Sequence, residues 1–347
     1  MTGVTVSTVT GPVPSAELGL TLTHEHLRND VRKAVAEPDD PRLAFLRDAR
    51  TAPDLAWLLR EQPYASLDHC VLDDTDAMLA DLRAFAASGG GTVVDVTPAG
   101  LGRDPRALRS FAERSGLKVV MGSGWYLERF HPAHLSSAGE HRLAGELVAE
   151  FTGGADGTGI SPGVIGEIGV SPDFTEDEHT ALRAAARAQR ETGVPLYVHL
   201  PGWQRRAHEV LDIVLGEYGV APGAVVLCHM DPSHDDPGYQ DAVADRGVWL
   251  EFDMVGMPFR YPGEGQSPAP HEAARAIARL IGRGYGERLL LSHDVFLKSM
   301  LTAYGGNGFR YVPTLFVPRL VDHGVAPEVA AGLLRTNPGR LFDQAAS

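Results

Sequence analysis

The chain has 347 residues, 44% hydrophobic and 22% charged, the balance of a globular protein able to bury a large core. Its formal net charge of −14 excludes the basic footprint that nucleic acid or an anionic membrane would require. Two cysteines, Cys70 and Cys228, exclude a disulfide framework, no apolar run is long enough to span a bilayer, and the opening MTGVTVSTVTGPVP lacks signal-peptide order. The expectation is a cytoplasmic enzyme acting on a small molecule, with no nucleic-acid or membrane partner.

The first strand is predicted at Gly19–Thr23 and runs into Thr23-His24-Glu25-His26. A long connection, 27–74, contains two segments that read as extra helices, LAFLRDAR and DLAWLLRE. Strands at Thr92–Thr97 and Lys118–Met121 follow. The fourth, Gly163–Glu167, ends an apolar run in a carboxylate set between Gly166 and Gly169. A carboxylate at the end of a buried strand is costly unless a cation meets it.

The next stretch, TEDEHTALRAAARAQRETG, reads as a helix opened by a Thr175/Glu178 capping box and stopped at Gly193. Three more strands are predicted at Pro195–His199, Ala224–His229 and Val248–Glu251. The last opens a Pro- and Gly-rich connection, 253–270. The eighth, Arg288–Ser292, leads through His293 to Asp294 and a further long connection, 295–317. Strands alternating with helices argue for a parallel sheet, and eight such units for an α/β fold, a (β/α)₈ TIM barrel spanning 1–347 as one domain. An open doubly wound sheet is the alternative. In a barrel the three long connections fall at the C-terminal ends of the strands, as lids or substrate walls.

That face collects the polar residues. The strand ends carry His24 and His26, Glu167, His199, His229 and Asp294. Side chains at i and i+2 of a strand point the same way, so His24 and His26 can grip one ion while Glu25 points elsewhere. A single histidine is more often a core residue, and Glu167 alone could pair with an arginine. Six such groups at one end of five strands exceed one open tetrahedral site and suit two divalent metals sharing a bridging group.

The ordered blocks LGLTLTHEHLRND, GGGTVVDVTPAGLGRDPRAL, GLKVVMGSGWY, GEIGVS, VPLYVHL, LCHMD, SHD and TNPGRLF resemble the phosphotriesterase family of the amidohydrolase superfamily, over nearly the whole chain. The resemblance implies two divalent ions per chain, zinc first, with manganese or cobalt as alternatives. It puts His24, His26 and Asp294 on the more buried ion and His199 and His229 on the other. It also implies a homodimer. The best-known members bridge the ions with a carboxylated lysine at the end of the fourth strand. This chain has Glu167 there, and its lysines, Lys33, Lys118 and Lys298, lie elsewhere. It therefore resembles the phosphotriesterase-related subgroup. Met254 stands where phosphotriesterases proper have a relay histidine, and Tyr126 where lactonases of the family have a tyrosine beside the metals.

A hydroxide bridging the metals would then attack the substrate, with Asp294 accepting its proton. Strand alternation turns Cys228 away from the metals, and His293 likewise. Tyr126, Trp203, Arg260, Phe309 and Tyr311 are candidates for a substrate pocket with aromatic walls, with Arg205, Arg206, Phe259 and Arg310 beside them. The leading expectation is a lactone, carboxylic ester or small N-acyl amide as substrate. The alternatives are a phosphotriester hydrolase, a mononuclear deaminase and a non-catalytic ligand-binding barrel.

Overall fold

The computed structural model describes residues 4–347. Its centre is one sheet of eight parallel strands. We number them β1 (Leu20–Glu25), β2 (Gly90–Asp95), β3 (Lys118–Ser123), β4 (Val164–Gly169), β5 (Leu196–His199), β6 (Val225–Leu227), β7 (Trp249–Phe252) and β8 (Leu289–Leu291). Each pairs with its sequence neighbour. The ring closes between β1 and β8 at their C-terminal ends, where the His24 N–H donates to Ser292 Oγ (3.1 Å) and the Asp294 N–H to the His24 carbonyl (3.2 Å). The fold is the expected α/β barrel.

Alternation along the strands divides the core. Val94, Val120, Val164, Tyr197, Val226, Trp249 and Leu290 fill the barrel, while their neighbours pack outward against the helices. The helix Glu176–Thr192 begins with the expected capping box and ends at Gly193 in the left-handed region (φ +68°). Two features differ from expectation. An antiparallel hairpin, Thr5–Thr8 with Gly11–Pro14, precedes the barrel and packs on β3 through the Val9 N–H to Val119 carbonyl bond (2.9 Å). The 27–74 connection is mostly short 3₁₀ segments, Pro41–Asp48 among them, with one α-helix, Ala56–Glu61. No helix among the described residues is long and apolar enough to cross a membrane.

Candidate metal centre

The strand-end residues converge. Glu167 is the hub, and its two oxygens face different neighbours. Oε1 lies 3.5 Å from His26 Nε2, while Oε2 lies 3.1 Å from His199 Nδ1 and 3.4 Å from His229 Nε2. Asp294 Oδ1 lies 3.2 Å from His26 Nε2 and 3.7 Å from His24 Nε2. The side chains thus fall into two overlapping groups, His26 and Asp294 on one side and His199 and His229 around Oε2, with His24 between them, its Nε2 3.8 Å from Glu167 Oε2 and 3.7 Å from Asp294 Oδ1. All but His199 are buried. The glycines flanking Glu167 have steric reasons. Gly166 sits at φ +129° with the space for a Cβ only 2.6 Å from the Tyr197 carbonyl oxygen, and a Cβ on Gly169 would lie 2.2 Å from the backbone of Tyr126.

The far nitrogens of three histidines are held in place. His24 Nδ1 lies 3.1 Å from Glu251 Oε2, His26 Nδ1 2.8 Å from Thr97 Oγ1, and His229 Nδ1 2.8 Å from Asp253 Oδ1. An acceptor on Nδ1–H fixes the tautomer in which Nε2 carries its lone pair inward, the arrangement metal-binding histidines use. His199 is inverted: Nδ1 faces Glu167, and Nε2 lies 3.4 Å from the Tyr126 hydroxyl. His24 Nε2 is buried with no hydrogen-bond partner.

The electrostatics call for positive charge. Glu167, Asp294, Glu251 and Asp253 lie in one buried cluster. Burial would raise the Glu167 pKa, but His199, His229 and His24 hold it well below the usual carboxylate range. Burial would strip the proton from His24, yet Asp253, Glu251 and Glu167 hold its pKa up to about 10. His229 is likewise held well above its ordinary value against burial, chiefly by Asp253. Protons on these histidines balance the carboxylates in the chain alone. Divalent ions would replace them, and the donor set of imidazoles and carboxylates with one orphaned Nε2 fits such ions.

Whole-chain comparison agrees with this geometry. Residues 4–342 match the model of the phosphotriesterase family. The chain belongs to the phosphotriesterase family. As a member, it is an enzyme of the hydrolase class. It is 34% identical to the N-acetyltaurine hydrolase of Rattus norvegicus over 96% of both chains. A crystal structure of a resiniferatoxin-binding protein from Rhodobacter sphaeroides is 48% identical and superposes with a TM-score of 0.96, over 99% of this chain and 96% of the other. A mutant of the PTE-like lactonase of Deinococcus radiodurans is 30% identical with a TM-score of 0.76, over 97% and 99%.

In this family member a cavity of about 340 Å³ opens over Glu167, His199, His229 and Asp294. Tyr126, Trp203 and Met254 line it. The other pocket candidates lie elsewhere. Arg260 is exposed on a two-residue strand of the β7 connection, and Phe309 is buried behind His293, ring centroids 6.4 Å apart. Tyr311 and Phe259 line a neighbouring cavity. Arg205 pairs with Asp235 and Asp236, and Arg206 with Glu209, so neither guanidinium is free; Arg310 is exposed.

The cation that does line the cavity is Arg129, which makes no ion pair among the described residues. Burial pushes the pKa of Tyr126, Tyr64 and Glu264 up, and the charge of Arg129 opposes that rise only in part. Tyr64 comes from the 27–74 connection, Tyr261 and Glu264 from 253–270, and Phe296 from 295–317, so all three long connections wall the cavity. Cys228 corrects the alternation argument. His229 adopts φ +59°, which breaks the alternation, and the Cys228 side chain packs inside the barrel beneath His24, Glu251 and Asp253. The expected packing role stands, but on the inner face. His293 is indeed outside the cluster, its Nδ1 2.7 Å from Glu25 Oε1.

Proposed function

We propose that this chain is a binuclear metal hydrolase that cleaves the amide of a small N-acyl amine carrying an acidic group. The observation that carries the metal assignment is the division of Glu167, one oxygen toward His26 and the other toward His199 and His229. In this reading His24, His26 and Asp294 would hold one divalent ion and His199 and His229 the other, with Glu167 shared between them in place of a carboxylated lysine, as in the phosphotriesterase-related subgroup. Zinc is the first choice and manganese or cobalt the alternatives. Two such ions supply a water of lowered pKa and polarise the substrate carbonyl.

The chain's own residues do the rest. Asp294 Oδ1, beside His26 and His24, receives the proton released on attack and passes it toward the leaving amine. Thr97, Glu251 and Asp253 hold the histidine rings in aim. Tyr126 stays a neutral phenol, its pKa pushed well up by burial and Glu167, and positions the substrate beside His199. Arg129 takes the acidic group, and Tyr64, Trp203, Tyr261 and Phe296 exclude water around the acyl portion. The amide preference rests on this free guanidinium together with the rat relative named as N-acetyltaurine hydrolase. Cytoplasmic location, homodimerisation and lid movement of 253–270 and 295–317 complete the reading.

A lactone or carboxylic ester is the second choice, favoured by the Deinococcus relative named as a lactonase. The test is kcat/KM of zinc- and manganese-reconstituted protein on N-acetyltaurine, a small lactone and an aryl phosphotriester, with Glu167→Ala as blank. The amide should lead by about a hundredfold, roughly 2.7 kcal/mol of transition-state binding. A lead for the lactone moves the assignment to the second choice. A lead for the phosphotriester overturns both.

A further inference from the structure

A second cavity, of about 590 Å³, lies beside the metal centre and is separated from it by one layer of chain. Residues following β7 and β8 form the dividing wall. Met254 and Tyr261 face the metal-centre cavity, whereas Val255, Met257 and Phe259 face the second. On β8's exit Asp294 faces the first, whereas its neighbours His293 and Val295 face the second.

We propose that this second cavity is a binding site for a small, largely apolar, uncharged molecule bearing one hydrogen-bonding group. Its volume lies in the range of small-molecule sites. Val255, Met257, Phe259 and Met300 give it buried apolar walls, and the two methionines can adjust to an occupant's shape. One polar group among them is unspent: the Ser267 hydroxyl is buried and has no hydrogen-bond partner. Buried hydroxyls are ordinarily paired, so an occupant with an acceptor or hydroxyl would complete it.

The rim bears one charge of each sign, Arg60 and Glu272, so neither sign of ligand is favoured. The His293 ring cannot swing into the space. Its Nδ1 is held by Glu25 at 2.7 Å, and its Nε2 accepts from the Val312 N–H at 2.9 Å. None of the metal-binding side-chain groups found among the described residues lines this cavity. The inference is independent of which substrate the metal centre cleaves.

The probe is 4-bromophenol, an apolar ring with one hydroxyl and an anomalous scatterer. Crystals of the metal-loaded protein soaked in it should show bromine against Met257 and Phe259. In solution, ligand-observed NMR should give saturable binding that weakens at least tenfold in Ser267→Leu, which fills the space. It should weaken a few-fold in Ser267→Ala, which keeps the shape and removes the hydroxyl, and stay unchanged in Glu167→Ala. Thermal unfolding checks that each variant is folded; should the leucine variant fail, the alanine variant carries the test. Bromine only in the metal-centre cavity, bromine with no saturable binding in solution, or binding indifferent to both Ser267 substitutions would overturn the proposal.

Discussion

Glu25→Gln strikes the seam of the barrel. Glu25 lies between His24 and His26, points away from them, and reaches across the closure to β8. Its Oε1 accepts from the Ser292 hydroxyl (2.8 Å), the His293 N–H (3.0 Å) and His293 Nδ1 (2.7 Å), and its Oε2 from the Val295 N–H (2.9 Å). Those donors bracket Asp294, which sits at φ +52° and depends on its neighbours to stay there. A glutamine keeps one acceptor. Its best orientation leaves the carbonyl at the Oε1 position and turns the NH₂ against the Val295 N–H, so one bond is lost and three lose their charge. With a charge-assisted bond contributing about 1.5–3 kcal/mol, the lost bond alone costs about 2–3 kcal/mol, and the three weakened ones add to it. Unfolding entropy scaled to this chain is about 0.7 kcal/mol/K, so Tm should fall by at least about 3–4 °C in the metal-free protein. Loosening Asp294 should also weaken metal binding by about tenfold or more. Calorimetry and a competitive metal titration read the two effects. An unchanged Tm with wild-type metal affinity would refute the reasoning.

Two further predictions concern a single side chain each. Arg129→Ala should raise KM about tenfold or more for an N-acyl amine with a sulfonate or carboxylate and leave a neutral analogue within about twofold, since one charge-assisted contact is removed; equal effects on both would remove Arg129 from recognition. His69 is buried between the Pro63 carbonyl and Ser299, and burial pushes its pKa down to about 4, the carbonyl only partly opposing. The unfolded imidazole, near 6.5, takes its proton first as pH falls, so the stability from neutral His69 is full above pH 6.5 and drains away toward pH 4. The loss is about 2.5 kcal/mol by pH 4.5. Urea unfolding at pH 7.5 and 4.5 should show this increment in the wild type and not in His69→Gln; an identical acid loss in both would exclude His69 as its source.

The barrel is readable from the sequence because its strands are short, β-branched and buried, and each stops at a polar residue. All eight predicted strands overlap the observed ones, with ends displaced by no more than two residues. The Glu176–Thr192 helix is readable because its cap and stop are local chemistry. The 27–74 connection is not, because its helical segments are too short to carry a period: Pro41–Asp48 buries only Leu46. The N-terminal hairpin hides for a related reason, since Gly11–Pro14 carries two prolines and reads as a breaker.

The strand-end residues could be found because a strand has only one C-terminal end, and the barrel gathers those ends. The cavity walls could not, since they depend on how three long loops fold over one another. Arg260 and Arg129 look alike in sequence, both beside aromatic residues and both exposed, yet Arg129 lines the site and Arg260 does not. Cys228 shows the limit of period-two reasoning: one left-handed residue at the end of β6 is enough to put consecutive side chains inside the barrel.

The central claim is that Glu167 joins two metal ions. Metal analysis of the purified, dialysed protein, with anomalous diffraction at the metal edge, tests it directly. The account predicts two divalent ions per chain, one among His24, His26 and Asp294 and the other between His199 and His229, with metal lost from Glu167→Ala. One ion per chain, held equally well in Glu167→Ala, would contradict it.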